Sequence, residues 1–325
     1  MAKTTRKSTG PKIDMYQDVT DRILAQLEAG TAPWRKPWNT NVGRPQNLEG
    51  RAYRGINVLL TGLAGYASPF WMTYRQMQER GGHLKQLPGF TGKETGQKGT
   101  RVVLWQMLRI ADKETGKPKT IPMLKHFTVF NLEQTEGVKL PKRVAEWNTP
   151  EAIEHQTIES AEDVIATYLA GGPEFREYGD RAYYSPEADS ITVPPITAYA
   201  NVDEYYATVF HEIGHSTGHE ARLDRFTGKG RAFGCADYGR EELVAEMTSA
   251  FLQAETGVET AEQNSAAYLA SWIRSIKEDP KAVVVAAGAA QKAADLVLGR
   301  SATAEVVETS GGDVEVVESP ERVAA

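Results

Sequence analysis

Residues 211–215 read His-Glu-Ile-Gly-His, and no other short run constrains this 325-residue chain as tightly. Two histidines four positions apart point the same way on an α-helix, where i and i+4 stack one turn apart on one face. There they can share one metal ion, here assigned as Zn2+. Glu212, one position on from His211, then lies beside the ion rather than on it. A carboxylate so placed can take a proton from a water that the metal has made acidic, so Glu212 is the candidate catalytic base. The pattern commits residues 201–219 to a helix, capped by Asn201 or Asp203.

A catalytic zinc has three protein ligands and an open fourth position. In the extended pattern HExxHxxGxxH the third histidine falls at position 221, which is Ala221, although Gly218 matches the glycine. His219 would sit one turn beyond the metal on a straight helix. The remaining source is a carboxylate from a following helix. Glu242 and Glu246 form an i, i+4 pair on one face of a helix over residues 239–255, so Glu242 is assigned as third ligand. Glu246 is assigned as acceptor for the N–H of a ligand imidazole, and Glu241 is expected to face solvent. The strand expected at residues 189–193 offers an edge to which an extended peptide could add. His219, Tyr238 and Arg222 are candidates for stabilising an oxyanion. Cys235 is read as an incidental thiol, and as the sole cysteine it allows no internal disulfide, which fits a cytoplasmic setting.

The net charge of −6 hides two halves of opposite sign. Residues 1–145 hold 24 Lys and Arg against 11 Asp and Glu; the rest hold 13 against 32. A basic half in an acidic chain points to a polyanion as partner for that half, or to attraction between the halves themselves. Single strands are gripped by cations along the phosphates and by aromatic faces for unpaired bases. Trp34, Arg35, Lys36 and Trp38 interleave both kinds within five residues. Tyr53, Arg54 and Asn57 do so again, with Arg44 and Arg51 adding charge. Lys98 and Arg101 bracket a glycine turn that phosphate can approach closely. The partner expected is single-stranded DNA. No apolar run is long enough to span a membrane, and the polar, basic start is not a secretory signal.

Periodicity and turn residues give an α+β chain in two domains. Residues 1–11 and 301–325 are expected to be disordered tails, the second acidic. Between them lie a DNA-binding domain over 12–145 and a mainly helical, metal-binding domain with a small sheet over 146–300. Helices are expected at 14–28, 56–64, 73–81, 150–169, 201–219, 239–255, 261–277 and 281–298. Strands are expected at 101–105 and 127–130, joined by a turn at 112–117, and at 181–184 and 189–193.

With both halves read, the chain resembles the ArdC family of antirestriction proteins, carried by plasmids and other mobile elements. The N-terminal likeness rests on residues 16–23 (Tyr-Gln-Asp-Val-Thr-Asp-Arg-Ile), 27–30 (Leu-Glu-Ala-Gly), 33–38 (Pro-Trp-Arg-Lys-Pro-Trp), 53–57 (Tyr-Arg-Gly-Ile-Asn) and 130–137 (Phe-Asn-Leu-Glu-Gln-Thr-Glu-Gly). The C-terminal likeness rests on residues 205–208, 211–219, 222–225 (Arg-Leu-Asp-Arg) and 241–246 (Glu-Glu-Leu-Val-Ala-Glu). It covers about residues 12–295. The resemblance implies a single-stranded-DNA-binding domain shared with conjugation primases, a zincin-like metallopeptidase domain, and a role in shielding incoming DNA from restriction. It also supports Glu242, as first glutamate of a Glu-x-x-x-(Asp/Glu) helix, as a ligand. A protein or peptide substrate would be of unspecified identity. The residues leave a second function open: a passive DNA-binding protein whose zinc site is structural or catalytically silent.

Overall fold

A computed structural model of the chain describes residues 14–30, 32–33, 44–91, 94–111, 118–147, 157–199, 201–226, 236–258 and 266–300. Both expected tails, the turn at 112–117, the stretch 148–156, Cys235 and the segment from Trp34 to Trp38 lie outside those residues.

The N-terminal module starts with α1 (Met15–Glu28), whose first-turn N–H groups at Tyr16 and Gln17 donate to the Asp14 carboxylate. Val19, Ile23 and Leu27, one turn apart, form its buried stripe. After it come β1 (Gln46–Asn47), α2 (Ile56–Gly62), β2 (Phe70–Thr73) and α3 (Tyr74–Glu79), the last started by a Thr73/Gln76 capping box. Then follow β3 (His83–Leu84), β4 (Thr100–Ala111), β5 (Pro118–Asn131), β6 (Thr135–Glu136) and α4 (Lys142–Trp147). The main sheet has the order β1-β2-β5-β4, with β1 and β2 parallel and the other pairs antiparallel. The β4–β5 pair outruns the two short strands expected there. Its register is unbroken from Thr100↔Val129 to Ala111↔Pro118, so the ladder itself extends both strands.

The C-terminal module holds α5 (Thr157–Leu169), β7 (Glu174–Glu177), β8 (Tyr183–Ser185), β9 (Ser190–Val193), α6 (Val202–Ser216), α7 (Ala236–Thr256), α8 (Ala266–Glu278) and α9 (Ala282–Val297). Asn201 caps α6 by accepting from the Glu204 N–H at 2.9 Å. Its small sheet runs β7-β9-β8. That order corrects one expectation. β9 is the middle strand, paired on both sides, so it has no edge to give a peptide. Among the described residues the strand with an open side next to α6 is β8. No helix among them is long and apolar enough to cross a membrane.

The two modules share one core. Val19, Ile23, Leu59, Trp71 and Val103 belong to the same buried cluster as Val209, Phe210, Leu243, Phe251 and Val283. A polar seam runs beside it and joins the basic half to the acidic one. Arg44, only 14% exposed, reaches Glu255 at 2.6 Å and the Gln291 side-chain Oε1 at 2.8 Å. Arg54 pairs with Asp295, and the Gly55 N–H donates to Gln291 at 2.9 Å. Arg300 holds the second oxygen of Glu255 at 2.7 Å. The Thr20 hydroxyl donates to the Pro280 carbonyl at 2.6 Å. Attraction between the halves therefore accounts for part of the charge division.

A buried ion is tolerable only while its partner stays. Glu255→Ala should lower unfolding free energy by roughly 3–5 kcal/mol, because it strands Arg44 inside the protein. Lys277→Ala, which breaks a half-exposed pair with Glu28 (2.7 Å), should cost less than about 1 kcal/mol. Urea titration of both variants checks this, and similar small losses would mean that the seam does not hold the modules together.

Candidate metal centre

Helix α6 carries His211 and His215 on the face turned to α7. Gly214 lies between them, and its missing side chain lets the helices close: a Cβ there would sit 3.0 Å from the Ala245 Cα and 3.1 Å from its carbonyl oxygen. That approach brings Glu242 of α7 to the histidines. The two Nε2 atoms are 3.1 Å apart. The Glu242 oxygens lie 3.6 Å from His211 Nε2 and 3.4 Å from His215 Nε2. A tetrahedral ion with bonds of about 2.0–2.1 Å requires donor–donor edges of about 3.3–3.4 Å. The donor set therefore fits a single divalent metal, and His211, His215 and Glu242 form the metal-type cluster among the described residues.

Each imidazole also faces a carboxylate on its far side. His211 Nδ1 is 3.7 Å from Glu246, near enough for attraction but longer than a hydrogen bond. His215 Nδ1 is 3.6 Å from Glu241, and this overturns the solvent-facing position expected of Glu241. Arg225 explains the difference. Its guanidinium donates to both Glu241 oxygens, at 3.1 and 2.6 Å, and is itself fixed by the Thr217 hydroxyl and the Gly214 carbonyl, each at 2.8 Å. The i, i+4 rule picked Glu242 and Glu246 on one face of α7. It could not foresee a cation from the loop after α6 drawing the neighbouring glutamate inward.

The electrostatics favour a cation. Burial opposes charge on His215, yet the carboxylates of Glu241 and Glu242, with Glu212 beyond, push its pKa up to about 10. Arg225 and His215 in turn hold Glu241 below the usual carboxylate range despite its burial. Glu212 is 7% exposed. Burial pushes its pKa up to about 7 and Glu242 adds to that, while His215 and the Tyr184 backbone N–H work the other way. Strand β8 thus touches Glu212 through its backbone.

Beside the metal helix, Arg222 ties β8 and the following turn to the end of α6. It holds both oxygens of Asp189 and donates also to the Tyr184 hydroxyl at 3.2 Å and the Ser216 carbonyl at 2.7 Å. Those bonds engage the guanidinium as a brace, which corrects its expected availability to an oxyanion. His219 accepts from the Ala221 N–H through Nδ1 at 3.2 Å. The Tyr238 side chain lies outside the described residues.

The nucleic-acid candidates divide. Tyr53 and Asn57 are buried. Asn57 serves as a clamp on β4, with both its amide nitrogen and its oxygen bonded to the Val103 backbone at 2.7 Å. Arg44 and Arg54 are in the seam, and Arg101 pairs with Asp18 of α1. Arg51 is partly exposed and Lys98 exposed. Trp34, Arg35, Lys36 and Trp38 lie outside the described residues. Sequence spacing could not separate cations that face solvent from cations that answer an acidic partner more than 200 residues away.

Fold and site define a zincin-type, divalent-metal module packed on an α+β module. Comparison with known proteins agrees with both halves. Residues 13–130 match the model of the N-terminal domain of anti-restriction factor ArdC, and residues 159–289 that of a zincin-like metallopeptidase. Two DNA primases TraC of Escherichia coli are each 36% identical, over 310 and 312 residues, or 89% and 88% of this chain. The chain spans only 20% and 27% of their lengths. Among solved structures, the metal-free antirestriction protein ArdC of plasmid R388 is 39% identical with a TM-score of 0.69, covering 88% of this chain and 97% of its own. The Mn(II)-bound form of that protein matches at 38% identity, a TM-score of 0.69, and 88% and 98% coverage. The chain belongs to the ArdC family of antirestriction proteins.

A carboxylate that orients a ligand imidazole usually contributes 10–100-fold to metal affinity. Glu241→Gln should therefore weaken divalent-metal binding by about that factor in titration calorimetry. Unchanged affinity would show that Glu241 only anchors Arg225.

Proposed function

We propose that this protein is an antirestriction factor that binds single-stranded DNA of an incoming mobile element in the cytoplasm and carries a working zinc peptidase centre. The observation that carries the peptidase reading is the arrangement of α6 and α7: His211, His215 and Glu242 bring three donor atoms together, with Glu212 buried one position from His211. His211, His215 and Glu242 would hold a divalent ion, which when bound would supply Lewis-acid chemistry toward a carbonyl and water. Glu212 does the proton work. Its buried carboxylate accepts a proton from the attacking water and returns it to the departing amine nitrogen. The open side of β8 suits an extended peptide, and the Arg222–Asp189 brace keeps that strand in register with α6. Zinc suits the nitrogen and oxygen donors.

The DNA reading draws on the N-terminal family match, the likeness to primases and the cation excess of residues 1–145. Glu212→Gln should reduce cleavage of a labelled protein substrate at least a hundredfold, with metal content and affinity for single-stranded DNA within about twofold of wild type. Cleavage that survives the substitution contradicts the assignment of Glu212, and loss of DNA affinity contradicts the division of labour between modules.

A further inference from the structure

One basic surface of the described residues extends beyond the cations that the sequence singled out. It lies at the β1 edge of the main sheet, where α4 crosses the loop after β1 and the end of α3. Val144 anchors α4 from below, in a small core with Leu48, Phe70, Met72 and Met77. On the outer side, Arg143 donates to the Gln46 side chain at 2.5 Å, and its guanidinium rests on Gly50. A Cβ at Gly50 would be 2.2 Å from Arg143 Nη1, so the glycine makes the seat. One turn on, Trp147 stands 41% exposed, with its ring edge-to-face on Phe70 at 5.9 Å. Arg80 joins the same face, since its guanidinium meets Glu49 at 2.8 Å and its backbone carbonyl accepts from the Lys139 N–H at 3.0 Å.

Arg80, Lys139, Lys142 and Arg143 thus belong to α4 and to the segments it is tied to, which also present one partly exposed tryptophan. The acidic groups among them are Glu49 and Glu146, the latter 3.6 Å from Lys142. Cations in excess with a supported aromatic edge are what a flexible polyanion carrying flat apolar bases requires. Arg143 and Trp147, at i and i+4, lie on one helical face, so one strand can meet phosphate and base contacts together.

We propose that this α4 surface, with Trp147 as base platform and Lys139, Lys142 and Arg143 along the phosphates, is the track for single-stranded DNA. The inference rests on the DNA-binding reading above and names its surface. The test is fluorescence anisotropy of the full chain with a labelled oligothymidylate at several salt concentrations. Each phosphate contact on a single strand contributes about 0.7 to the slope of log K against log salt. Lys139→Ala with Lys142→Ala, both exposed, should therefore flatten the slope by about 1.4. Trp147→Ala should weaken binding about tenfold or more, with Trp147→Phe restoring most of it. Patch variants that fold and bind like wild type overturn the proposal, as does a loss confined to Lys85→Ala with Lys98→Ala; the DNA reading survives in both cases. If the wild-type chain shows no salt-dependent preference for single strands over duplex, the DNA reading fails with it.

Discussion

Burial of one 21-residue helix, α7, sets the positions of nearly everything else. From Leu243 to Leu252 its residues are inside the protein almost without interruption, Glu246 excepted, packed by α5, α6, α8 and α9. Such a helix can carry charge only where a partner waits. At its N-terminal end Glu241, Glu242 and Glu246 meet Arg225 and the two histidines. At the other end Glu255 meets Arg44 and Arg300. The thirteen residue steps from Glu242 to Glu255 span about 20 Å at about 1.5 Å each. A single rigid rod therefore links the candidate metal centre to the seam between modules.

The metal centre shows how little latitude such a site has. Gly214 sets how near α7 comes, and that distance sets whether Glu242 reaches both imidazoles. The outer carboxylates fix the rings, and Arg225 keeps Glu241 from adding an unpaired negative charge. Glu212 is buried beside the donor set, where burial and the nearby Glu242 carboxylate push its pKa up to about 7.

Much of this was legible in the sequence because it is local. The i, i+4 spacing of His211 and His215, the Glu242/Glu246 pair and the Asn201 cap depend on one helix each, and helical geometry is the same in any context. What failed to show was long-range. β7 (Glu-Phe-Arg-Glu) has no strand-like alternation, since it is an exposed edge strand held by its neighbour's ladder. The burial of Glu241 depends on Arg225 in the loop after α6. Arg44, Arg54 and Asn57 looked like nucleic-acid contacts because a cation or amide beside an aromatic is ambiguous until its partner is known. Arg80 forms no local sequence pattern with Lys139, Lys142 and Arg143, because it is far from them in the chain and is brought to α4 and its neighbours only by the fold.

The whole scheme requires one ion shared by two helices. Metal stoichiometry and affinity of the wild-type chain beside Glu242→Ala, by calorimetry and elemental analysis, decide it. One divalent ion per chain is expected for wild type, with affinity reduced by at least a hundredfold in the variant, since a three-donor site becomes a two-donor one. Equal loading and affinity in the two proteins would mean that α7 supplies no ligand, and the link between helix burial and the metal centre would not hold.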